Sequence, residues 1–220
     1  MPQEILGTLE EQIDPKHTAL VVIDPQNDFC ASDGAAATLM GTDVSRIQSA
    51  IPPLNAFIKT AREAGLMVVW TRSLVDLNKT RPSFRARSFM LDAKVKNIKV
   101  VREGSDGAEW YSEVVKPLPN EHVITKYHYD AFEDTDLDLL LGWHQIKTLL
   151  MTGFLANVCV ETTARHGYIK GYYIVAVSDC TDTATEKEYE ATLYNIKKYF
   201  GKVATSDEIK KVWGGVVGRR

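Results

Sequence analysis

The stretch Ala19-Leu-Val-Val-Ile23, which is followed directly by Asp24, contains no polar residue between its apolar side chains. An uninterrupted apolar run of this kind is typical of a strand that is buried on both faces, as in a parallel sheet. Open α/β folds bind their ligands at the carboxyl ends of such strands. The stretch therefore predicts a central strand that presents Asp24 at the functional edge of the sheet.

Similar apolar runs recur along the chain and alternate with segments of helical periodicity. They cover residues 66–70, 122–125, 148–152, 172–177 and the short run 203–204. Alternation of strands and helices predicts an α/β fold with a parallel sheet, helices on both of its faces and right-handed crossovers.

Two helix boundaries are predicted from local signals. Apolar residues recur at helical spacing as far as Gly65, which is suited to the position just after a helix end. The pair Pro52-Pro53 interrupts this pattern, and we place the start of the regular helix there because proline fits a first turn. A second helix is predicted to begin at or near Cys159 and to end by Gly171.

Length and composition narrow the class of protein. The chain has 220 residues, 25% of them charged, and a formal net charge of −3. We expect one domain, residues 17–220, after an N-terminal extension, residues 1–16. Without a basic excess, a nucleic-acid partner is not expected. No signal-peptide pattern and no apolar run near the ~20 residues of a membrane span occur, so we expect a soluble cytoplasmic protein without membrane contact.

The segment 72–120 departs from the alternation. It is rich in arginine between residues 72 and 102, and its periodicity is poor. A long excursion inside a compact domain is usually functional, so we expect a lid or part of an interface.

Reactive side chains follow three of the predicted strands. Asp24 follows the first, Lys126 ends the third, and Cys159 lies just beyond the fourth. Taken singly, these are commonly a turn residue, a solvated charge and a small core residue. Taken together at one sheet edge, they supply a proton acceptor, a cation and a nucleophile. A helix N-terminus and a nearby ammonium would both favour the Cys159 thiolate.

Three segments around these residues carry a family resemblance. They read Ala-Leu-Val-Val-Ile-Asp24-Pro-Gln-Asn-Asp-Phe29, Ile-Thr-Lys126 with Ala131-Phe132-x-x-Thr135, and Gly153-Phe-Leu-Ala-Asn-Val-Cys159-Val-Glu-Thr-Thr-Ala-Arg165. In this order they resemble the three motifs of the isochorismatase-like cysteine hydrolases, a superfamily that includes nicotinamidases, N-carbamoylsarcosine amidohydrolase, and ureidoacrylate, biuret and triuret hydrolases.

The resemblance implies a three-layer α/β/α fold with a six-stranded, mainly parallel sheet of order 3-2-1-4-5-6. It implies a catalytic triad in which Asp24 is the general base and acid, Lys126 stabilises the thiolate and transition state, and Cys159 is the nucleophile. It also implies a cis peptide bond between Phe154 and Leu155, and an oxyanion site formed by the amides of Leu155 and Cys159. A homodimer or homotetramer is the usual assembly in this superfamily.

Comparison with individual members of this superfamily gives predictions about a metal and about the substrate. Nicotinamidases carry a histidine metal site after the second strand, whereas this chain has no histidine between His17 and His122. We therefore expect no catalytic metal and no cofactor. The nucleophile turn is most similar to the ureidoacrylate and biuret/triuret side, so a small amide or ureide is the expected substrate.

Several side chains near the triad motifs are candidate substrate contacts, although core packing or a solvated charge explains each of them about as well. The candidates are Asn27, Phe29, Arg72, Tyr127, Tyr129 and Phe132. Arg72 and the arginine cluster at 81–87 could hold a carboxylate by bidentate contacts, although a solvated or interfacial charge explains most of them better, and Arg72 is the best pocket candidate.

Other functions remain open at this point. One alternative is a nicotinamidase- or isochorismatase-type hydrolase of the same superfamily. Another is a non-hydrolytic thiol-redox or partner-binding protein on this fold, suggested by the irregular pocket segment and the extra cysteines. We interpret Cys30 and Cys180 as structural.

Overall fold

A six-stranded sheet forms the centre of the computed structural model, which describes residues 5–217. Its strands are β1 (Thr18–Ile23), β2 (Met67–Ser73), β3 (His122–Lys126), β4 (Thr148–Phe154), β5 (Tyr173–Asp182) and β6 (Gly201–Ala204). Their order is β3-β2-β1-β4-β5-β6, and each neighbouring pair is parallel. The predicted α/β class and strand order are confirmed.

Helices cover both faces of the sheet. They are α1 (Leu9–Gln12), α2 (Asn27–Cys30), α3 (Ala35–Met40), α4 (Ser45–Glu63), α5 (Pro82–Arg85), α6 (Ser88–Val95), α7 (Leu137–Trp143), α8 (Glu161–Ile169), α9 (Glu186–Asn195) and α10 (Ser206–Val217). The core on one face includes α4 and α10, and the core on the other includes α7 and α8. The molecule therefore has the three layers that the resemblance implies.

The burial of the central strand, β1, on both of its faces explains why its sequence is apolar throughout. Leu20 and Val22 point into the core beside α4, while Ala19, Val21 and Ile23 point into the opposite core. Side chains alternate between the two faces of a strand. With helices on both faces, each position of β1 is buried, and polar alternation is absent.

Helix α4 corrects one prediction. It begins at Ser45 rather than at the proline pair, so Pro52 and Pro53 lie inside it. An internal proline removes a helical hydrogen bond and crowds the preceding turn. Both prolines lie on the outer side, whereas Ile47 and Leu54 are fully buried. Burial of this apolar face offsets the lost hydrogen bonds, and the helix continues through the pair.

The excursion after β2 is more ordered than its periodicity predicts. It contains α5, α6 and a 3-10 turn at Asp106–Ala108. Val75, Val100 and Val101 form a small separate core with Ala35 of α3. We call residues 74–108 the cover segment, because it packs over the carboxyl edge of the sheet beside β1.

Both ends of the described chain pack on the sheet layers. Trp213 Nε1 donates to the Ile13 carbonyl over 2.8 Å, and the Leu6 amide donates to the Tyr173 hydroxyl over 3.0 Å. The limits of the predicted extension 1–16 and domain 17–220 reach residues 1–4 and 218–220, which lie outside the described residues. Among residues 5–217, the helices are too short or too polar to cross a membrane.

Candidate active site

Asp24 and Lys126 meet at the carboxyl edge of the sheet, although β2 separates their strands. Lys126 Nζ lies 2.6 Å from Asp24 Oδ2, and both side chains have no exposed surface. The long lysine side chain spans the intervening strand, where Ser73 lies opposite Lys126 and Thr71 lies opposite Ile23. A charge pair removed from water in this way remains stable only when its remaining polar atoms are also satisfied.

Neighbouring groups orient this pair. Thr71 Oγ1 donates to Asp24 Oδ1 over 2.6 Å, and Lys126 Nζ donates to the His128 carbonyl over 3.0 Å. Asp24 has a φ of 48°, a left-handed conformation that Asp adopts more readily than most residues. Within residues 5–217, Asp24 Oδ2 accepts no aligned hydrogen bond. Its contact with Lys126 is an ion pair, and this oxygen remains able to accept a proton.

Cys159 lies in a π-helical turn, Ala156–Val160, that precedes α8. The Leu155 carbonyl accepts from the amides of Val158 and Val160 over 3.1 and 3.3 Å. The peptide bond between Phe154 and Leu155 is cis, at the position that the resemblance implies. Cys159 lies close enough to Lys126 and Asp24 for both to act on its thiol.

Burial controls the protonation of the Cys159 thiol. Burial raises the pKa of Cys159 to about 12; the Lys126 ammonium opposes this rise, and the Asp24 carboxylate adds to it. The predicted effect of a nearby ammonium on the thiol is present, but burial outweighs it, and the net pKa of Cys159 is raised rather than lowered. Burial by itself would lower the pKa of Lys126, but the Asp24 carboxylate is the largest of the opposing influences, and the net pKa of Lys126 is raised. The resting site contains a neutral thiol beside a charged Asp–Lys pair.

A small cavity of about 80 Å³ reaches Cys159. One ordered water needs about 10–15 Å³, so the space suits a ligand of a few heavy atoms. Its walls are mostly apolar, and the cover segment closes one side. The lining comprises Phe29, Ala35, Ala36, Met40, Ser73, Phe84, Arg87, Phe89, Val100, Val101, Tyr129, Phe154, Leu155, Val158 and Cys159.

Two of the predicted substrate contacts, Phe29 and Tyr129, line this cavity. Phe29 follows the Asp24 motif on α2, and Tyr129 follows Lys126 by three residues. Each lies on a loop or short helix that leaves a strand end and turns toward Cys159.

The other four candidates are not among the described lining residues of this cavity. Asn27 Nδ2 donates to the Asp106 carbonyl, and Arg72 Nε donates to Thr125 Oγ1. Tyr127 lines two open clefts whose described walls do not include Cys159. Phe132 packs in the core against Tyr172. Local chain direction at each strand end, rather than proximity in sequence, determines which side chains face the sulfur.

The sequence did not single out the part of the wall formed by Phe84, Arg87 and Phe89. The arginine cluster at 81–87 was noted, but Arg72 was preferred to it, and Arg87 is the member that reaches the cavity. The feature of the sequence that could have indicated this wall is the pattern Phe-x-x-Arg-x-Phe at residues 84–89, which lies in a segment without the periodicity of a buried helix or strand. Phe84 contacts both Phe89 and Tyr129 edge to face, with ring centroids 5.8 and 5.4 Å apart.

Asp28 joins two walls of the cavity. Its carboxylate accepts from the Val101 amide over 2.6 Å and from the Ala35 amide over 3.1 Å. Burial raises the pKa of Asp28, and these two hydrogen bonds oppose the rise. Gly107 packs against the same carboxylate so closely that a Cβ there would lie 2.2 Å from Asp28 Oδ2. Asp28 therefore holds the cover segment against α2 and α3.

Comparison with known proteins identifies the family. A family model described as Isochorismatase domain matches residues 18–208. The chain belongs to the isochorismatase family. A ureidoacrylate amidohydrolase, RutB, from Enterobacter sp. (strain 638) is 34% identical over 201 residues, which cover 87% of this chain and 86% of the relative. The predicted superfamily is confirmed.

Solved structures agree with the family fold. A cysteine hydrolase from Pseudomonas syringae pv. phaseolicola 1448A superimposes with a TM-score of 0.79 at 25% identity, covering 98% of this chain and 99% of that one. N-carbamoylsarcosine amidase from Thermoplasma acidophilum superimposes with a TM-score of 0.68 at 26% identity, covering 86% of this chain and 96% of that one.

Nicotinamidases of this family raise the question of a metal. The corresponding stretch here, residues 70–78, contains Asp76 but no histidine. Among residues 5–217, no group of three or more His, Cys, Asp and Glu side chains is placed to hold a metal ion. The residues present do not fit such a site.

Proposed function

We propose that this chain is a cysteine amidohydrolase that cleaves a C–N bond of a small amide or ureide through a thioester-type intermediate on Cys159. Its family and its amidohydrolase relatives identify it as a hydrolase that acts on C–N bonds. The observation that carries the mechanism is the fully buried ion pair, 2.6 Å between Lys126 Nζ and Asp24 Oδ2, beside the Cys159 thiol.

In the first step, the Cys159 sulfur attacks the carbonyl carbon while Asp24 takes the thiol proton. The proton must move during the attack, because the thiol is neutral at rest with a pKa of about 12. The carboxylate oxygen that faces Lys126 is the acceptor, since Thr71 already donates to the other oxygen. A base that is held in place and dehydrated in this way is suited to general base catalysis.

As the sulfur–carbon bond forms, negative charge develops on the carbonyl oxygen. The amides of Leu155 and Cys159 are the proposed donors to this oxygen, as the resemblance implies. Backbone donors that are already oriented stabilise the developing charge without a reorganisation cost. Lys126 adds a buried positive charge nearby, 2.6 Å from Asp24 Oδ2.

Collapse of this intermediate breaks the C–N bond. Asp24 returns its proton to the departing nitrogen, which leaves as ammonia or an amine, and the acyl group stays on the sulfur. Water then attacks the thioester carbonyl and gives its proton to Asp24. The sulfur–carbon bond breaks, Asp24 returns this proton to the sulfur, and the acid or carbamate product leaves with the Cys159 thiol regenerated. One carboxylate thus serves as base and acid in turn.

The relatives and the cavity narrow the substrate. The relatives from Enterobacter sp. (strain 638) and Pantoea ananatis (strain LMG 20103) are named as ureidoacrylate amidohydrolases. A cavity of about 80 Å³ suits a planar group of ureide size at Cys159. Ureides are therefore the first class to test, followed by simple amides.

The experiment is an ammonia-release assay on a panel of 3-ureidoacrylate, biuret, triuret, N-carbamoyl amino acids and nicotinamide. We expect turnover of at least one ureide, and a loss of roughly 10³-fold or more in Cys159→Ala. Cys180→Ala is the matched control, because Cys180 is a buried free thiol on β5 outside the cavity lining. No turnover by the unmodified protein, or full activity in Cys159→Ala, would refute the proposal.

Intact-mass spectrometry separates hydrolysis from the alternative of a thiol-redox protein. A substrate-dependent acyl adduct on Cys159 supports the hydrolase, whereas peroxide-dependent oxidation without an adduct supports the redox alternative. Nicotinamide turnover alone would instead assign the nicotinamidase-type alternative. We also expect a homodimer or homotetramer, which light scattering measures directly.

A further inference from the structure

Arg87 is the one cationic side chain in the described lining of the cavity that reaches Cys159. The walls there are aromatic and aliphatic, and the other polar side chains among them are Ser73, Tyr129 and Cys159. Lys126 is close to Cys159 but lies behind the lining, paired with Asp24. Arg87 is exposed, so its guanidinium lies at the open rim of this mostly apolar cavity, where it can contact a charged ligand.

The backbone around Arg87 is fixed. Its carbonyl accepts from the amides of Met90 and Leu91 over 3.0 and 3.1 Å at the start of α6, and its amide donates to the Phe84 carbonyl over 3.1 Å. The guanidinium carbon lies 5.8 Å from the centroid of the Phe89 ring. The Phe89 ring therefore lies beside a guanidinium that is exposed to solvent.

The charge of Arg87 has no carboxylate partner among residues 5–217. Arg81, on the same segment, is paired with Glu133 and Asp134 over 2.8 and 3.2 Å, whereas Arg87 takes part in no ion pair. Its nitrogen atoms are thus available to a ligand.

The field of Arg87 extends into the space where a substrate would lie. Burial raises the pKa of the Tyr129 phenol, while the charges of Arg87 and Lys126 both lower it. Tyr129 lines the cavity together with Cys159. The two cations therefore act on the same small volume, Lys126 from the sheet edge and Arg87 from the cover segment.

We infer that Arg87 binds a carboxylate of the substrate at the cavity rim, so that the enzyme prefers anionic ureides whose carboxylate lies a few atoms from the scissile carbonyl. This inference rests on the proposed function and gives its substrate class. A guanidinium matches a carboxylate with two parallel hydrogen bonds, which also fix the orientation of the ligand. With the carboxylate at Arg87, the opposite end of a short ureide lies at Cys159.

A matched pair of substrates tests the inference. 3-Ureidoacrylate and its methyl ester share the ureide group, but the ester lacks the charge. We expect Arg87→Gln to raise KM for the acid about 10- to 100-fold, with little change for the ester and a smaller change in kcat. Arg87→Lys is expected to lie between the two, because lysine keeps the charge but not the bidentate geometry.

Arg81→Gln is the control, because Arg81 is a paired cation on the same segment outside the cavity lining. It is expected to leave both substrates unaffected. Equal effects of Arg87→Gln on acid and ester, or no effect on either, would overturn the inference. So would turnover of only uncharged ureides such as biuret by the unmodified protein.

Calorimetric titration separates recognition from turnover. In Cys159→Ala protein, the acid is expected to bind more tightly than the ester, and the additional Arg87→Gln change is expected to remove this difference. Equal binding of acid and ester before that change overturns the inference. Failure of the proposed function is distinct, because it shows as absence of ammonia release from the entire panel while this binding difference persists.

Discussion

Thr71 Oγ1 donates a hydrogen bond of 2.6 Å to Asp24 Oδ1, while Lys126 Nζ lies 2.6 Å from Asp24 Oδ2. Thus β2 holds one carboxylate oxygen by a hydrogen bond from Thr71, and β3 holds the other by an ion pair with Lys126. Thr71 is fully buried, so its hydroxyl cannot be replaced by bulk water when it is removed. Thr71 is a positioning residue in the proposed mechanism, because it acts through Asp24.

Removing this hydroxyl is expected to slow the reaction. Thr71→Val keeps the shape of the side chain but loses a hydrogen bond to a charged group, and kcat is expected to fall about 10- to 100-fold. Thr71→Ser is the control and should keep most of the activity. Equal rates for the valine and serine variants would contradict this role.

The raised pKa of Cys159 predicts how the free thiol reacts. The pKa of about 12 means that the thiolate is a very small fraction at neutral pH. Alkylation by iodoacetamide should therefore rise roughly tenfold per pH unit from pH 7 to pH 10 without a plateau. Intact-mass measurements of adduct formation give the rate. A plateau near neutral pH would show that the thiolate forms at rest.

Asp24→Asn is expected to affect hydrolysis and alkylation in opposite directions. The Asp24 carboxylate raises the pKa of Cys159, so its loss favours the thiolate, which then pairs with Lys126. Hydrolysis should be lost with the proposed base, while alkylation of Cys159 at pH 8 should accelerate. Circular dichroism checks the fold, because a buried lysine loses its partner. Retained hydrolysis would exclude Asp24 as the base.

Asp28 connects the cover segment to the rest of the cavity wall. Asp28→Asn keeps an acceptor for one of the two amides, from Val101 and Ala35, but turns an NH₂ group toward the other. We expect KM to rise about 10-fold with a smaller change in kcat, and faster proteolysis within residues 74–108. The exposed Asp33 supplies the control, Asp33→Asn. Unchanged KM and proteolysis in Asp28→Asn would show that the segment is held by other contacts.

Gly153, in β4, is expected to tolerate no side chain. Its φ is +96°, and a Cβ would lie 2.1 Å from the Ile23 carbonyl oxygen at the end of β1. Gly153→Ala should lower the free energy of unfolding by about 2–6 kcal/mol, from backbone strain and overpacking together. Gly142→Ala is the matched control, since a Cβ at Gly142 in α7 meets no atom within 4 Å. Urea denaturation compares the two, and equal stability would contradict the packing shown here.

Several features of the molecule could be predicted because they depend on local pattern. Residues 19–23 lie in β1, which has helices on both of its faces. Because every position is therefore buried, the sequence shows no alternation of polar and apolar residues. Asp24 and Lys126 could be placed at the same sheet edge because parallel strands end on the same side. The start of α4 could not be predicted in this way, because packing of its inner face outweighs the local effect of Pro52 and Pro53.

Which side chains line the cavity could be learned only from the tertiary structure. Arg72, close to the motifs in sequence, extends to Thr125, while Arg87, in a segment without clear periodicity, reaches the cavity. The difference comes from the path of the cover segment, which Asp28 fixes through backbone amides distant in sequence. No local pattern encodes that path.

By itself, the sequence determined the strand–helix alternation, the edge at which Asp24, Lys126 and Cys159 meet, and the family. These features depend on periodicity and on short motifs, which can be recognised in each segment without knowledge of the other segments. Only the tertiary structure decided the walls of the cavity and the state of the thiol. Both depend on burial by residues from distant segments: exclusion of water raises the pKa of Cys159 to about 12, and the same exclusion makes the Asp24–Lys126 pair necessary.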